Sequence, residues 1–254
     1  KNIEIKISIG IFYANEDTQA EEPLKSVTHA LNYAKYLGSN QIQIYNPQLH
    51  ANLLGIRELQ AEIPRAIRED QFFLVYQPIM DLETNKMLGV EALIRWNHPK
   101  RGILYPDQFI DLAEQNGTIV NLDFWVFKTV CKLIKSWHDE NRKPAGVSVN
   151  ISAKTFEGKR FVPDILDILK QYNVEPELLQ LEITERMIIH NIEESIVKLN
   201  ELREMGVHIA IDDFGIGYSS LSYIIRLPID SIKIDKSFVQ SMSTSHEAKV
   251  LVAT

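Results

Sequence analysis

The sequence predicts an α/β protein whose main body is a TIM-like (β/α) barrel, on three observations. From Gln71 onward, short apolar strand patterns alternate with helical patterns, which argues for a parallel sheet. Each strand from the second onward carries a polar residue within or just past its apolar run: Glu91, Asn150, Glu182, Asp212 with Asp213, and Lys233 with Asp235. A barrel assembles its site from the C-terminal ends of several strands, and five strands each offering an oxygen ligand or a cation fit that plan. A doubly wound sheet gathers its binding residues in one glycine-rich turn, and no G-x-G-x-x-G follows any strand.

The elements follow in order. Residues 3–13 alternate apolar and polar like a strand with one buried face. Leu24 to Leu37 has apolar residues at helical spacing and stops at Gly38, a C-cap residue. Gln41 to Tyr45 reads as a second short strand, and the three make a βαβ piece too small to bury a core alone. Asn52 to Asp70 reads as a linking helix in which Pro64 can kink or restart the turns. Strands are then expected at 72–76, 88–94, 147–151, 178–183, 207–211 and 231–234, with helices at 106–115, 119–138, 161–171 and 191–204. The domain boundaries that result are 1–46, a linker over 47–70, and 71–254.

Composition narrows the function. The 254 residues are 45% hydrophobic and 24% charged, the balance of a globular protein with a real core. A net charge of −7 gives no bulk positive surface for a nucleic-acid polymer or a membrane, so an anionic ligand needs local basic groups or metal ions. The single cysteine, Cys131, lies in an apolar helical pattern and reads as a core thiol; a reducing cytoplasm fits. No spanning helix or signal peptide is visible, and the chain opens inside a strand, as a piece of a longer parent would, one able to carry a membrane anchor elsewhere.

The chemistry concentrates in Val207 to Leu221, VHIAIDDFGIGYSSL. Two adjacent carboxylates at the end of an apolar strand repel each other unless cations sit between them; the alternative is that one caps the following helix. Glu91, Glu182, Asp212 and the Asn150 amide are hard oxygen donors, suited to Mg2+, Mn2+ or Ca2+ rather than zinc or copper. Two adjacent aspartates can serve a pair of ions, as in two-metal phosphatases and nucleases. Lys233 adds a compact positive charge for a water or a phosphorane, although its alternation with Ile232 and Ile234 also allows an outward-facing lysine. These residues point to a divalent-metal hydrolase of phosphoesters. Trp96, Trp125 and Trp137 read as core or pocket-wall residues, and His98 in Trp-Asn-His-Pro as a turn residue.

Several long segments make the sequence resemble a known family. YQPIMDLETNKMLGVEALIRW (76–96), VSVNIS (147–152), LQLEITE (179–185), IAIDDFGIGYSSLSY (209–223) and LPIDSIKIDKSFV (227–239) resemble the EAL domain family, phosphodiesterases of cyclic di-GMP. The resemblance implies Glu91, Asn150, Glu182 and Asp212 as ligands of a first metal ion, with Asp212 bridging to a second ion that Asp213 also binds. It implies Lys233 beside the catalytic water, and Glu185 as anchor of the loop Phe214 to Leu221. Gln77, Leu93, Arg95 and Asp235 become substrate contacts, Arg95 through its two-pronged guanidinium. The implied cofactors are two Mg2+ or Mn2+ ions, with Ca2+ inhibitory, and the implied product is linear pGpG.

Ile216 stands where the family commonly has threonine, within the loop that couples the site to dimerisation, and Arg186 stands where it has serine, beside that loop. The family's last two strands are absent, so the barrel is expected to be truncated after its sixth strand. Residues 1–46, through ISIGIF and HALNYAKYLGSNQI, resemble the closing part of a GGDEF domain without its signature loop. The expected partners are cyclic di-GMP, a second copy of the chain, and an upstream GGDEF and sensor domain. The alternatives are a catalytically silent cyclic di-GMP receptor and an inert interaction domain; the first loses Glu91-type or Asp-pair positions, and the second scrambles the motifs.

Overall fold

The structure, a computed structural model, describes residues 5–14, 22–38, 40–142, 145–215, 226–245 and 249. The chain falls into two compact units, Lys1–Ile63 and Pro64–Thr254. In the first, β1 (Ile9–Ile11) and β2 (Ile42–Ile44) pair in parallel around α1 (Glu22–Tyr36), which buries Ala30 and Ala34. Of the strand expected over 3–13, the described residues from Ile5 onward are regular at Ile9–Ile11. Gly38, at φ 119°, ends the helical run as its position predicts. The expected linking helix is α2 (Pro47–Arg68), which continues through Pro64.

The second unit is an α/β fold built on a parallel-rich sheet. Its strands are β3 (Phe72–Met80), β4 (Met87–His98), β5 (Gly102–Leu104), β6 (Gly146–Asn150), β7 (Leu179–Thr184), β8 (His208–Phe214) and β9 (Ser231–Ile234). The order is β3-β4-β6-β7-β8-β9, with β5 paired to β4. Among the described residues the sheet does not close, and β3 and β9 are its edges.

The expected parallel sheet has an exception at its start. β3 and β4 form an antiparallel hairpin, with Phe72 opposite Trp96 and Gln77 opposite Glu91. Six residues, Asp81 to Lys86, join them, too few for the crossover that parallel neighbours need. Asp81 closes the turn: its Oδ1 accepts from the backbone N–H groups of Glu83 (3.1 Å) and Thr84 (2.6 Å), and Asn85 takes a left-handed φ of 52°. β5 also pairs antiparallel with β4, whereas β4, β6, β7, β8 and β9 pair in parallel. At Gly89 opposite Gly146 the backbones approach so closely that a Cβ on Gly89 would lie 2.7 Å from the Gly146 carbonyl oxygen.

Helices α3 (Ile110–Asn116), α4 (Ile119–Asp139), α5 (Ala153–Glu157), α6 (Phe161–Tyr172), α7 (Glu185–His190) and α8 (Ile192–Glu204) fill the crossovers. One apolar cluster joins them to the sheet: Val147, Val149, Leu181, Ile183, Ile209 and Ile211 from the strands meet Phe127, Val130, Ile134, Ile165 and Leu199 from the helices. Cys131 lies in this core, and burial pushes its thiol up to about 12. Trp96 is fully buried and donates its indole N–H to Gln71 Oε1 at 3.0 Å, while Trp125 and Trp137 are half-buried. His98 is the turn residue it promised to be, its Nδ1 accepting from the N–H groups of Lys100 and Arg101.

Candidate active site

Strand alternation decides which side chains share a face. On β4, Ala92 and Trp96 pack into the apolar cluster or its aromatic neighbours, which leaves Glu91, Leu93 and Arg95 on the other face. Asn150, Glu182, Asp212 and Lys233 reach the same side from β6, β7, β8 and β9, at or near the C-terminal ends of those strands.

The five side chains converge. Lys233 Nζ lies 2.5 Å from Glu182 Oε2, 3.1 Å from Glu91 Oε2 and 3.6 Å from Asp212 Oδ2. Asn150 Nδ2 donates to the other oxygen of Glu91 at 2.9 Å. Lys233 therefore faces inward, resolving the two orientations that its sequence allowed. Among the described residues, no three His, Cys, Asp or Glu side chains stand in metal-binding geometry by themselves.

The electrostatics are those of a crowded acidic site. Glu182 is almost fully buried, and desolvation, with the charges of Glu91 and Asp212, drives its carboxyl up to about 7 against the pull of Lys233. Its Oε1 is buried without a hydrogen-bond partner. Burial lowers the Lys233 pKa, but Glu182, Asp212 and Glu91 together outweigh it and leave the ammonium held above its ordinary value.

Adjacent residues on a regular strand point to opposite faces, so two neighbouring aspartates cannot normally serve one site. A bulge removes the obstacle. Ile211 pairs with Ile232 and Phe214 with Ile234, so Asp212 and Asp213 together stand opposite Lys233 alone. Asp213 takes a left-handed φ of 54°, and its N–H donates to Asp212 Oδ1 at 2.9 Å. Burial and then the charges of Asp212 and Asp235 raise the Asp213 pKa.

The remaining expected residues are placed as follows. Gln77, exposed on β3, stands opposite Glu91 in the hairpin. Leu93 and Arg95 follow Glu91 along β4; the Arg95 guanidinium lies 5.0 Å from the centre of the Tyr105 ring and donates to the Ile94 carbonyl. Asp235 caps the helix Lys236–Ser241, its Oδ1 accepting from the N–H and hydroxyl of Ser237. Glu185 is buried in the first turn of α7 and Arg186 is exposed beside it. Of the loop Phe214 to Leu221, only Phe214 and Gly215 are described; Ile216 and the rest lie outside the described residues.

Sequence reasoning missed Asp123. It is buried on α4, where its Oδ2 accepts from Ser152 N–H (3.0 Å), Ser152 Oγ (2.6 Å) and Thr155 Oγ1 (2.6 Å). The turn it clamps follows Asn150 directly and starts α5. An aspartate inside the apolar run NLDFWVF was the available signal. A cavity of about 270 Å3 opens beside this turn, walled by Leu93, Ile94, Pro106 and Ile110, with Asp123 and Asn150 at its lining.

Comparison with known proteins supplies the context. The sequence profile of the EAL domain family matches residues 60–254. Cyclic di-GMP phosphodiesterase NbdA of Pseudomonas aeruginosa is 39% identical over 246 residues, 96% of this chain and 31% of that protein. The bifunctional diguanylate cyclase/cyclic di-GMP phosphodiesterase MucR of the same organism is 34% identical over 252 residues, 99% of this chain and 37% of that one. The chain thus spans about a third of the length of these curated relatives. Among solved structures, the PaMucR phosphodiesterase in complex with c-di-GMP superposes with a TM-score of 0.73 at 37% identity, covering 77% of this chain and 79% of that one.

Proposed function

The chain belongs to the EAL domain family, and from that membership we propose that it hydrolyses one phosphodiester of cyclic di-GMP to give linear pGpG. The observation that carries this reading is the convergence of Glu91, Asn150, Glu182 and Asp212 on Lys233 at the strand ends. The site retains every acidic position that a silent receptor of this fold tends to lose.

The donor set fits a divalent ion. Three carboxylates and an amide oxygen are hard ligands, and the partnerless buried Oε1 of Glu182 is an oxygen that a cation satisfies. Asn150 presents its oxygen to the same place by a half-turn of the amide. On this reading Glu91, Asn150, Glu182 and Asp212 would hold one Mg2+ or Mn2+ ion, and Asp212 with Asp213 would contribute to a second. Such ions supply Lewis-acid activation of the phosphate and of the attacking water.

The chain's own groups do the rest. Lys233, kept charged by its carboxylates, orients the attacking water and offsets negative charge on the phosphoryl oxygens. Arg95 holds a phosphate of the dinucleotide, while Gln77 and Leu93 contact the rest of the substrate. Asp235 contacts substrate only with the oxygen that its capping role leaves over. We also take residues 1–46 as the end of a GGDEF-like domain in a multidomain parent that pairs as a homodimer; the parallel β1 and β2 around α1 support the first part.

Chromatography of c-di-GMP incubated with the whole protein and Mg2+ or Mn2+ tests the reading. It should yield pGpG, and Asp212→Asn should lower turnover by at least about a hundredfold, because one side chain serves both ions. Tight binding without product would instead identify a receptor. Ca2+ should bind yet support little hydrolysis, since its looser coordination orients the reacting groups poorly; equal rates with Ca2+ and Mg2+ would count against the mechanism.

A further inference from the structure

The acidic cluster stands on a floor of a particular composition. Same-face positions on a strand are two residues apart. The residues directly below Glu91, Asn150, Glu182, Asp212 and Lys233 are therefore Gly89, Ser148, Gln180, Ala210 and Ser231. Barrel interiors are ordinarily filled by branched Val, Ile and Leu. Here four of the five are glycine, alanine or serine, and the fifth is a long amide.

That amide spans the floor. Ser148 Oγ donates to Gln180 Oε1 at 3.0 Å, and Gln180 Nε2 donates to Ser231 Oγ at 2.7 Å. The chain of hydrogen bonds links β6 to β7 and then crosses β8 to reach β9, which is not a backbone neighbour of β7. It crosses β8 diagonally, from the level of His208, which pairs with Gln180, to that of Ala210, which pairs with Ser231 and offers only a methyl group. One step higher, the Lys233–Glu182 contact spans the same gap.

The backbone alone holds this gap weakly. The β8–β9 ladder is interrupted by the bulge at Asp212 and Asp213, directly opposite Lys233. Ladder hydrogen bonds next to a bulge are disrupted and the strand bends, so a side-chain tie immediately below has a mechanical role.

We infer that Gln180 is a positioning residue: through Ser148 and Ser231 it fixes the separation of β7 and β9, and with it the placement of Lys233 against Glu182. Gln180 touches neither substrate nor ion. Its kinetic consequence rests on the phosphodiesterase reading; its effect on cation binding, through Glu182, does not.

The test uses the whole protein with three variants: Gln180→Met, which keeps the volume but loses donor and acceptor, Ser231→Ala, and the double substitution. Gln180→Met should lower kcat for c-di-GMP at least about tenfold with KM within about twofold, because the tie acts on geometry rather than on substrate binding. Mn2+ affinity, read by titration calorimetry, should fall at least about threefold. Ser231→Ala should change both in the same direction, and the double variant should be no worse than Gln180→Met alone, since both cut one tie.

Urea midpoints check that each variant is folded; Ser231 is exposed, so its variant keeps the test alive if Gln180→Met is not. Unchanged kcat and Mn2+ affinity in the folded variants, or fully additive losses, would overturn the assignment. A wild-type protein that binds c-di-GMP without turnover would overturn the phosphodiesterase reading instead, and the Mn2+ titrations would then decide Gln180.

Discussion

Glu182 couples the site to pH. Its folded pKa of about 7 lies above the unfolded value of 4.5, so the folded protein keeps a proton that the unfolded chain releases in this window. The sign follows: chelator-treated protein loses stability as pH rises from about 4.5 to about 7, and Glu182→Gln flattens the profile. Urea midpoints against pH measure this, and a wild-type midpoint that climbs through the window would contradict it. Mn2+ should protect more at the high end, because it binds the ionised carboxylate. Cys131 gives a second check: with its thiol driven up to about 12 by burial, iodoacetamide should leave it intact until the protein unfolds. Single residues were unevenly legible. Glu91, Asn150, Glu182 and Asp212 announced themselves because each interrupts or ends an apolar strand run. Lys233 stood out with them, but its alternation with Ile232 and Ile234 permits either face and only the folded neighbours choose. Asp123 was hidden because its partners lie 29 to 32 residues away.

Between residues and fold stand the strands and turns, and there the sequence was clearest in regular stretches and weakest at irregular ones. β6 and β7 follow their apolar runs almost residue for residue, as buried parallel strands do. The hairpin of β3 and β4 was misread as part of a parallel alternation, although the six-residue connection carried the signal. The bulge on β8 leaves no mark in composition; two adjacent aspartates reveal it only when paired strands show two residues against one. The turn after Asn150 has its own prediction. Asp123→Ala removes the acceptor of three hydrogen bonds and should lower the unfolding free energy by about 1–3 kcal/mol, with Asp123→Asn milder because it keeps an acceptor oxygen. Urea titration of the two variants decides, and an unperturbed Asp123→Ala would remove the clamp from this account.

At the scale of the whole molecule, the two units differ in how much they bury. The first has a two-stranded sheet with Ile9, Ile42 and Ile44 exposed, whereas the second gathers strands and helices around one continuous core. Two strands on one helix hold marginally, so amide exchange should be fastest in β1 and β2 and slowest in β6, β7 and β8. Uniform protection would show that the first unit has support beyond its own residues. No described helix is long and apolar enough to cross a membrane. The antiparallel hairpin also decides where the chain enters the sheet. In a barrel whose first strand is parallel, the polypeptide arrives at the mouth opposite the catalytic one. Here β3 runs the other way, and Gln71, bonded to Trp96 and Asn97 at the far end of β4, is the point of entry. The covalent lead into the domain is therefore spliced onto the rim where the candidate site lies, beside the strand that continues from Glu91 through Leu93 to Arg95, so a pull on that lead is felt first by the strand that carries these three side chains.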